Sequence, residues 1–269
     1  MCRILPTASL TGQGPHGTST WNVDQQDRPP DGVPRGGCEW HLGYIPAMTT
    51  GGRVSLRYVA LGDSYTIGTA VDPAASWPAQ LVASLGVAGG SGRVLELVAN
   101  LGVNGCTSDE LRRGQLPELD RLRPDFVSLL IGVNDVVRGI PAAAYETSVK
   151  ATLLELLERL SPDRVVTVAI PDYTVTPRGG DYGDPERQSR AIAGFNAIMA
   201  GVSRDLGVRF VDIFDLSLRA VTDRTLVAAD GLHPSGAQYG LWVERITPVV
   251  TALLGGAPAD AQSLPRLSS

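Results

Sequence analysis

Three residues of this 269-residue chain could together turn a hydroxyl into a nucleophile. Ser64 lies in the stretch YVALGDSYTIG (58–68), where an apolar run breaks at Gly62. A glycine there permits a tight turn at the mouth of a buried strand. The serine two places on would then sit at a sheet's carboxyl edge, where open α/β folds bind ligands. His233 is the only histidine after residue 52, and Asp230 precedes it by three positions in ADGLHPSG. Asp230 can accept from Nδ1–H and orient the ring, leaving Nε2 to take a proton from the serine. Gly-Asp-Ser alone is also ordinary turn composition, so the case rests on the residues gathered around it.

A serine that attacks a carbonyl needs donors for the oxyanion that forms. Gly105, in NLGVNGCT, can offer an unobstructed backbone N–H, and Asn134, in GVND, a side-chain NH₂. Asn-Asp after a strand is also common turn chemistry. Each of these groups follows a segment that reads as a strand, with Asn100 and Asn104 near Gly105 and Asp135 beside Asn134.

The elements that must position them can be read from periodicity. Strands are predicted at Val54–Leu61, Val94–Leu101, Phe126–Ile131, Arg164–Ile170 and Val208–Ile213. Helices are predicted over Ser76–Leu85, from Thr107 toward Leu119, from Pro141 to near Leu160, from near Pro185 to Gly207, and from Ser235 to about Leu254. Thr107 and Glu110 stand at capping-box spacing. About five strands alternating with helices imply parallel pairing and an α/β sandwich with helices on both faces.

Residues 1–52 read differently, with glycine and proline at 15 of 52 positions and no sustained apolar period. They are expected to form a flexible N-terminal segment, or to reflect a gene start placed too early, since Met48 shortly precedes the first strand. Residues 53–254 are expected to be the folded domain and 255–269 a flexible tail.

The formal net charge of −5 and the lack of a long basic block argue against nucleic acid as a partner. No run of 18 apolar residues occurs, so no membrane span is predicted. The N-terminus lacks the pattern of an export signal, which makes the cytoplasm the default location. Cys2, Cys38 and Cys106 suggest neither a disulfide framework nor a metal-binding pair, and no metal or cofactor is expected. The sequence does not fix the oligomeric state, and a monomer is compatible with it.

At the residues already named, the chain resembles the SGNH or GDSL hydrolase family. GDSY, NLGVNGCTS, GVND and DGLHP stand in the family's order, from roughly Arg57 to Val250. The resemblance implies Ser64 as nucleophile, Asp230 and His233 as acid and base, and Gly105 and Asn134, with the Ser64 N–H, as the oxyanion hole. It also implies a three-layer α/β/α domain around a mainly parallel five-stranded sheet, and metal-free cleavage of esters through an acyl-enzyme. Acyl transfer and thioester cleavage use the same residues. Asp63 is assigned a local hydrogen-bonding task and Cys106 a packing one.

Two other functions fit the fold class. A nucleotide-binding domain would carry G-x-G-x-x-G or G-x-x-x-x-G-K-[ST] after the first strand, and GDSYTIGTA contains neither. A non-catalytic binding domain would have no need to keep serine, histidine, aspartate and the donors together. The absence of G-x-S-x-G argues against the common α/β-hydrolase topology. The loops Val136–Ile140 and Tyr173–Asp184 are expected to shape the substrate site. With no broad apolar lid insertion between the blocks, small or soluble esters are favoured over long-chain triglyceride.

Overall fold

The first strand, β1 (Val54–Gly62), alternates at its outer end and is then buried without interruption from Tyr58 to Gly62. That change marks the point at which the strand passes between two layers of helices. The computed structural model describes residues 54–88 and 92–255. The expectations for residues 1–52 and for nearly all of the 255–269 tail lie outside the described residues.

Four further strands, β2 (Arg93–Asn100), β3 (Phe126–Leu130), β4 (Val165–Val168) and β5 (Arg209–Val211), complete a sheet in the order β2-β1-β3-β4-β5. Every pairing in it is parallel. All five residues of β3, a run of Phe, Val, Ser and Leu, are buried. Ser128 is tolerated there because its hydroxyl meets Tyr58 Oη at 2.6 Å on the neighbouring strand.

The nine α-helices among the described residues are α1 (Ser64–Ile67), α2 (Trp77–Ala88), α3 (Ser108–Gly114), α4 (Glu118–Leu122), α5 (Val133–Val137), α6 (Ala142–Leu157), α7 (Pro185–Asp205), α8 (Phe214–Leu218) and α9 (Gly236–Leu253). The chain leaves β1 toward β2 and later leaves β3 in the opposite direction. Right-handed crossovers therefore put their helices on opposite faces. α2 packs with α9 on one face, and α6 packs with α3 and α7 on the other. The result is the expected three-layer sandwich. The strand order reverses between β1 and β3, so the crevice for a ligand opens beyond their carboxyl ends.

β3, β4 and β5 are shorter than the apolar runs that announce them, whereas β1 and β2 match theirs to within a residue at each end. Ile131, Ala169, Ile170 and Ile213 are buried yet lie past the last paired residue. Burial continues there beyond the strand ends, although Ala169 N–H still donates to the Val211 carbonyl at 3.0 Å. The helix predicted from Thr107 toward Leu119 is two helices, because Pro117 has no N–H for a continuing ladder. The short α1, α5 and α8 have too few turns to leave a periodic signature. Thr107 and Glu110 do form the capping box at the start of α3.

Gly62 is where the sheet and the site meet. Its N–H donates to Gln115 Oε1 at 3.0 Å and its carbonyl accepts from Gln115 Nε2 at 2.7 Å. A Cβ at this position would overlap Thr66 Oγ1 and the Leu130 carbonyl. Gly62→Ala is therefore expected to cost about 3 kcal/mol, at the upper end of ordinary overpacking, and to lower the melting temperature by roughly 5–10 °C. Gly194→Ala, on the exposed face of α7 with open space around it, should be neutral or stabilising. Equal melting temperatures for the two variants would contradict this account of Gly62.

Candidate active site

Ser64 opens α1, a single turn held at both ends. Asp63 caps it, with Oδ1 accepting from Tyr65 N–H at 3.0 Å, and Gly68 closes it at φ 82°. The loop after β2 lies against this turn. Asn100 Nδ2 donates to the Thr66 carbonyl at 2.7 Å while its Oδ1 accepts from Gly102 N–H at 3.1 Å. At Gly102 a Cβ would come within 2.7 Å of the Asp63 carbonyl, so the close approach requires glycine. As the first helical residue, Ser64 has a backbone N–H with no intrahelical partner.

Gly105 stands third in a turn closed by Cys106 N–H donating to the Val103 carbonyl at 3.1 Å, and takes φ 76°. Among the described residues, neither its N–H nor that of Ser64 meets an acceptor. Asn134 is the second residue of α5, a helix where the sequence suggested only a loop. Its Nδ2 donates to the Cys106 carbonyl at 3.0 Å, which leaves one amide hydrogen uncommitted. The neighbouring Asp135 is wholly buried, accepting from Ser108 N–H at 2.9 Å and from Ser108 Oγ–H at 2.6 Å.

The chain beyond β5 contributes the loop before α9. Ala228 N–H donates to the His233 carbonyl at 2.8 Å, and Val227 and Pro234 form an isolated antiparallel bridge. Within that hairpin-like loop, Asp230 Oδ2 lies 2.6 Å from His233 Nδ1, and its Oδ1 accepts from the N–H groups of Leu232 and His233, each at 3.0 Å. Partial burial alone would raise the Asp230 carboxyl, but these three bonds and the nearby imidazole outweigh it and hold the group below its ordinary range. It is therefore ionised and suited to keep a proton on Nδ1. Tyr65 packs edge-on to the imidazole with ring centres 5.8 Å apart.

Ser64, Gly105, Asn134 and His233 all line one cavity of about 290 Å³, with Asp230 bonded to the histidine. The sequence-predicted residues, spread from position 64 to position 233, thus come together at the crevice beyond β1 and β3. Tyr65, Tyr173, Tyr182 and Leu232 complete much of the wall and were not singled out from the sequence. Two of them, Tyr173 and Tyr182, lie in the loop after β4, where their signal was the only aromatic pair in an otherwise polar stretch. Val137 and Tyr173 do come from the two loops expected to shape the site.

Two titratable neighbours are pushed toward their neutral forms. Complete burial drives the Asp63 carboxyl up to about 7; the bond from Tyr65 N–H opposes this and the Asp135 charge adds to it. Its Oδ2 has no hydrogen-bond partner among the described residues. Burial and the nearby Glu110 push the Cys106 thiol up to about 11, so it is a protonated packing residue and no thiolate. Among the described residues, no group of three His, Cys, Asp or Glu side chains could hold a metal ion, and no helix is long and apolar enough to cross a membrane.

Solved structures with the same fold are numerous. TesA is 22% identical, with a TM-score of 0.57 over 73% of this chain and 99% of that one. A lipase/acylhydrolase from Enterococcus faecalis is 20% identical, with a TM-score of 0.58 over 73% of this chain and 96% of that one. A single-residue variant of Axe2, an acetyl xylan esterase from Geobacillus stearothermophilus, is 21% identical, with a TM-score of 0.55 over 75% of this chain and 95% of that one. A sequence comparison with curated proteins gives no match. The family model for GDSL-like lipases and acylhydrolases matches residues 60–241, a span that opens in β1 and closes inside α9. By fold and by that match, this chain belongs to the GDSL-like lipase/acylhydrolase family.

Proposed function

We propose that the protein is a serine hydrolase that cleaves carboxylic esters through an acyl-enzyme on Ser64. The observation that carries this reading is the 2.6 Å contact between Asp230 and His233 Nδ1, made by a histidine that shares its cavity with Ser64 and two uncommitted backbone donors. With Nδ1 engaged, Nε2 is the nitrogen left to take the Ser64 proton as the oxygen attacks the ester carbon. Asp230 fixes the tautomer and stabilises the imidazolium. The oxyanion receives the N–H groups of Ser64 and Gly105 and the second amide hydrogen of Asn134. The imidazolium then returns its proton to the leaving alkoxide. Water, activated by the same histidine, releases the acid.

The size of the cavity supports small substrates. About 290 Å³ corresponds to roughly ten water volumes, room for a short acyl group and part of its alcohol. Its aromatic and aliphatic walls suit an apolar acyl group or the flat face of a ring. Soluble short-acyl esters are the proposed substrate class.

A fluorophosphonate should label the folded protein once, at Ser64, and Ser64→Ala should lose both labelling and turnover of p-nitrophenyl acetate. Labelling at another residue, or undiminished turnover in Ser64→Ala, would contradict the assignment. Asn134→Ala separates donor from scaffold. Loss of a transition-state donor should lower kcat on the order of 100- to 1000-fold, roughly 3–4 kcal/mol, with KM little changed. Loss of the bond to the Cys106 carbonyl should add only about 1 kcal/mol of destabilisation. A folded Asn134→Ala protein with kcat within about threefold of wild type would remove Asn134 from the oxyanion hole.

A further inference from the structure

The turn that carries Gly105 is held from outside the cavity by an ion pair. Arg138 Nη2 donates to the Gly105 carbonyl at 2.6 Å and Nη1 to Glu110 Oε1 at 2.9 Å. Glu110 uses its other oxygen to accept from Thr107 N–H at 2.9 Å. Arg138 in turn follows the last turn of α5, its own N–H donating to the Asn134 carbonyl at 3.0 Å. Four successive residues of the loop are thereby fixed. Arg138 takes the carbonyl of Gly105, Asn134 that of Cys106, Glu110 the N–H of Thr107, and Asp135 the N–H of Ser108.

We propose that Arg138, braced by Glu110, is a positioning residue that sets the direction of the Gly105 N–H relative to Asn134. The proposal rests on the oxyanion-hole reading given above. Gly105 has the least restricted backbone in the turn and takes φ 76°, so its N–H can swing unless the adjoining peptide is held. The Arg138 bond holds that peptide, and the planar guanidinium can grip a carbonyl and a carboxylate together as a lysine cannot. Because the backbone N–H of the same residue is tied to the Asn134 carbonyl, one residue links the two donors from the β2 and β3 loops. Both charged side chains are about half exposed, so the pair contributes little to global stability and its loss should leave the domain folded. A misplacement of an ångström, by contrast, costs on the order of 100-fold in rate.

The test compares Arg138→Ala, Arg138→Lys and Glu110→Gln with Ser64→Ala on p-nitrophenyl acetate, with active serine counted by the end point of fluorophosphonate labelling. Arg138→Ala should lower kcat per labelled serine roughly 10- to 50-fold, with KM within about threefold and the melting temperature nearly unchanged. Arg138→Lys should recover part of that loss, and Glu110→Gln should show a smaller loss of the same kind. Wild-type kcat per labelled serine in Arg138→Ala overturns the proposal, as does a rise in KM at constant kcat, which would make Arg138 a substrate contact. Should Arg138→Ala fail to fold, Arg138→Lys and Glu110→Gln decide the matter by the same criterion. Turnover that survives in Ser64→Ala would instead remove the nucleophile on which the reading stands, whatever the arginine variants do.

Discussion

The site depends on a junction made over the end of β1 between the two strands that flank it. β2 and β3 are never neighbours in the sheet, yet the loop after one supplies Gly105 and the helix after the other supplies Asn134. The buried Asp135 carboxylate makes the join, taking both the N–H and the hydroxyl of Ser108. Burial holds this carboxyl above its ordinary range and the two Ser108 bonds offset only part of that, so the group depends on its partner to be tolerated there. With the junction closed, the Ser64 turn is enclosed. Gln115, just past α3, grips Gly62 from one side, and Gly102, in the loop after β2, lies against the Asp63 carbonyl from the other.

The third part of the site is held differently. His233 comes from beyond β5, the far edge of the sheet, and no strand register fixes it relative to Ser64. Its loop is stiffened internally instead, by the bridge between Val227 and Pro234 and by three bonds to Asp230 from within four residues. Packing against Tyr65, the residue after Ser64, ties the imidazole to the β1 turn. Gly105, Asn134 and the internally braced His233 meet at a cavity whose lining also includes Tyr173 and Tyr182, from the loop after β4.

How much of this was legible in the sequence follows from the range of each interaction. Gly62, Ser64, Gly105, Asn134, Asp230 and His233 stand at breaks after apolar runs, and those breaks are local signals. The parallel sheet was legible because strand and helix periods alternate. α5 was not, since Val133–Val137 is barely more than one turn and GVND reads as turn chemistry. Nor were the roles of Gln115 and Arg138, whose partners Gly62 and Gly105 lie 53 and 33 residues away. Both are ordinary polar residues on helix ends until the fold brings a particular carbonyl to them. The strand ends were overestimated for a related reason, because Ile131 and Ile213 are buried by layers of helices and not by pairing.

The central claim is that Ser64, Gly105 and Asn134 together receive the charge that develops on an ester carbonyl. A structure of the covalent phosphonate adduct tests it most directly, since the phosphoryl oxygen stands in for the oxyanion. The account predicts phosphorus bonded to Ser64 Oγ, with that oxygen about 2.7–3.1 Å from Ser64 N, Gly105 N and Asn134 Nδ2. An adduct whose phosphoryl oxygen points to solvent, or meets neither Gly105 nor Asn134, would contradict it.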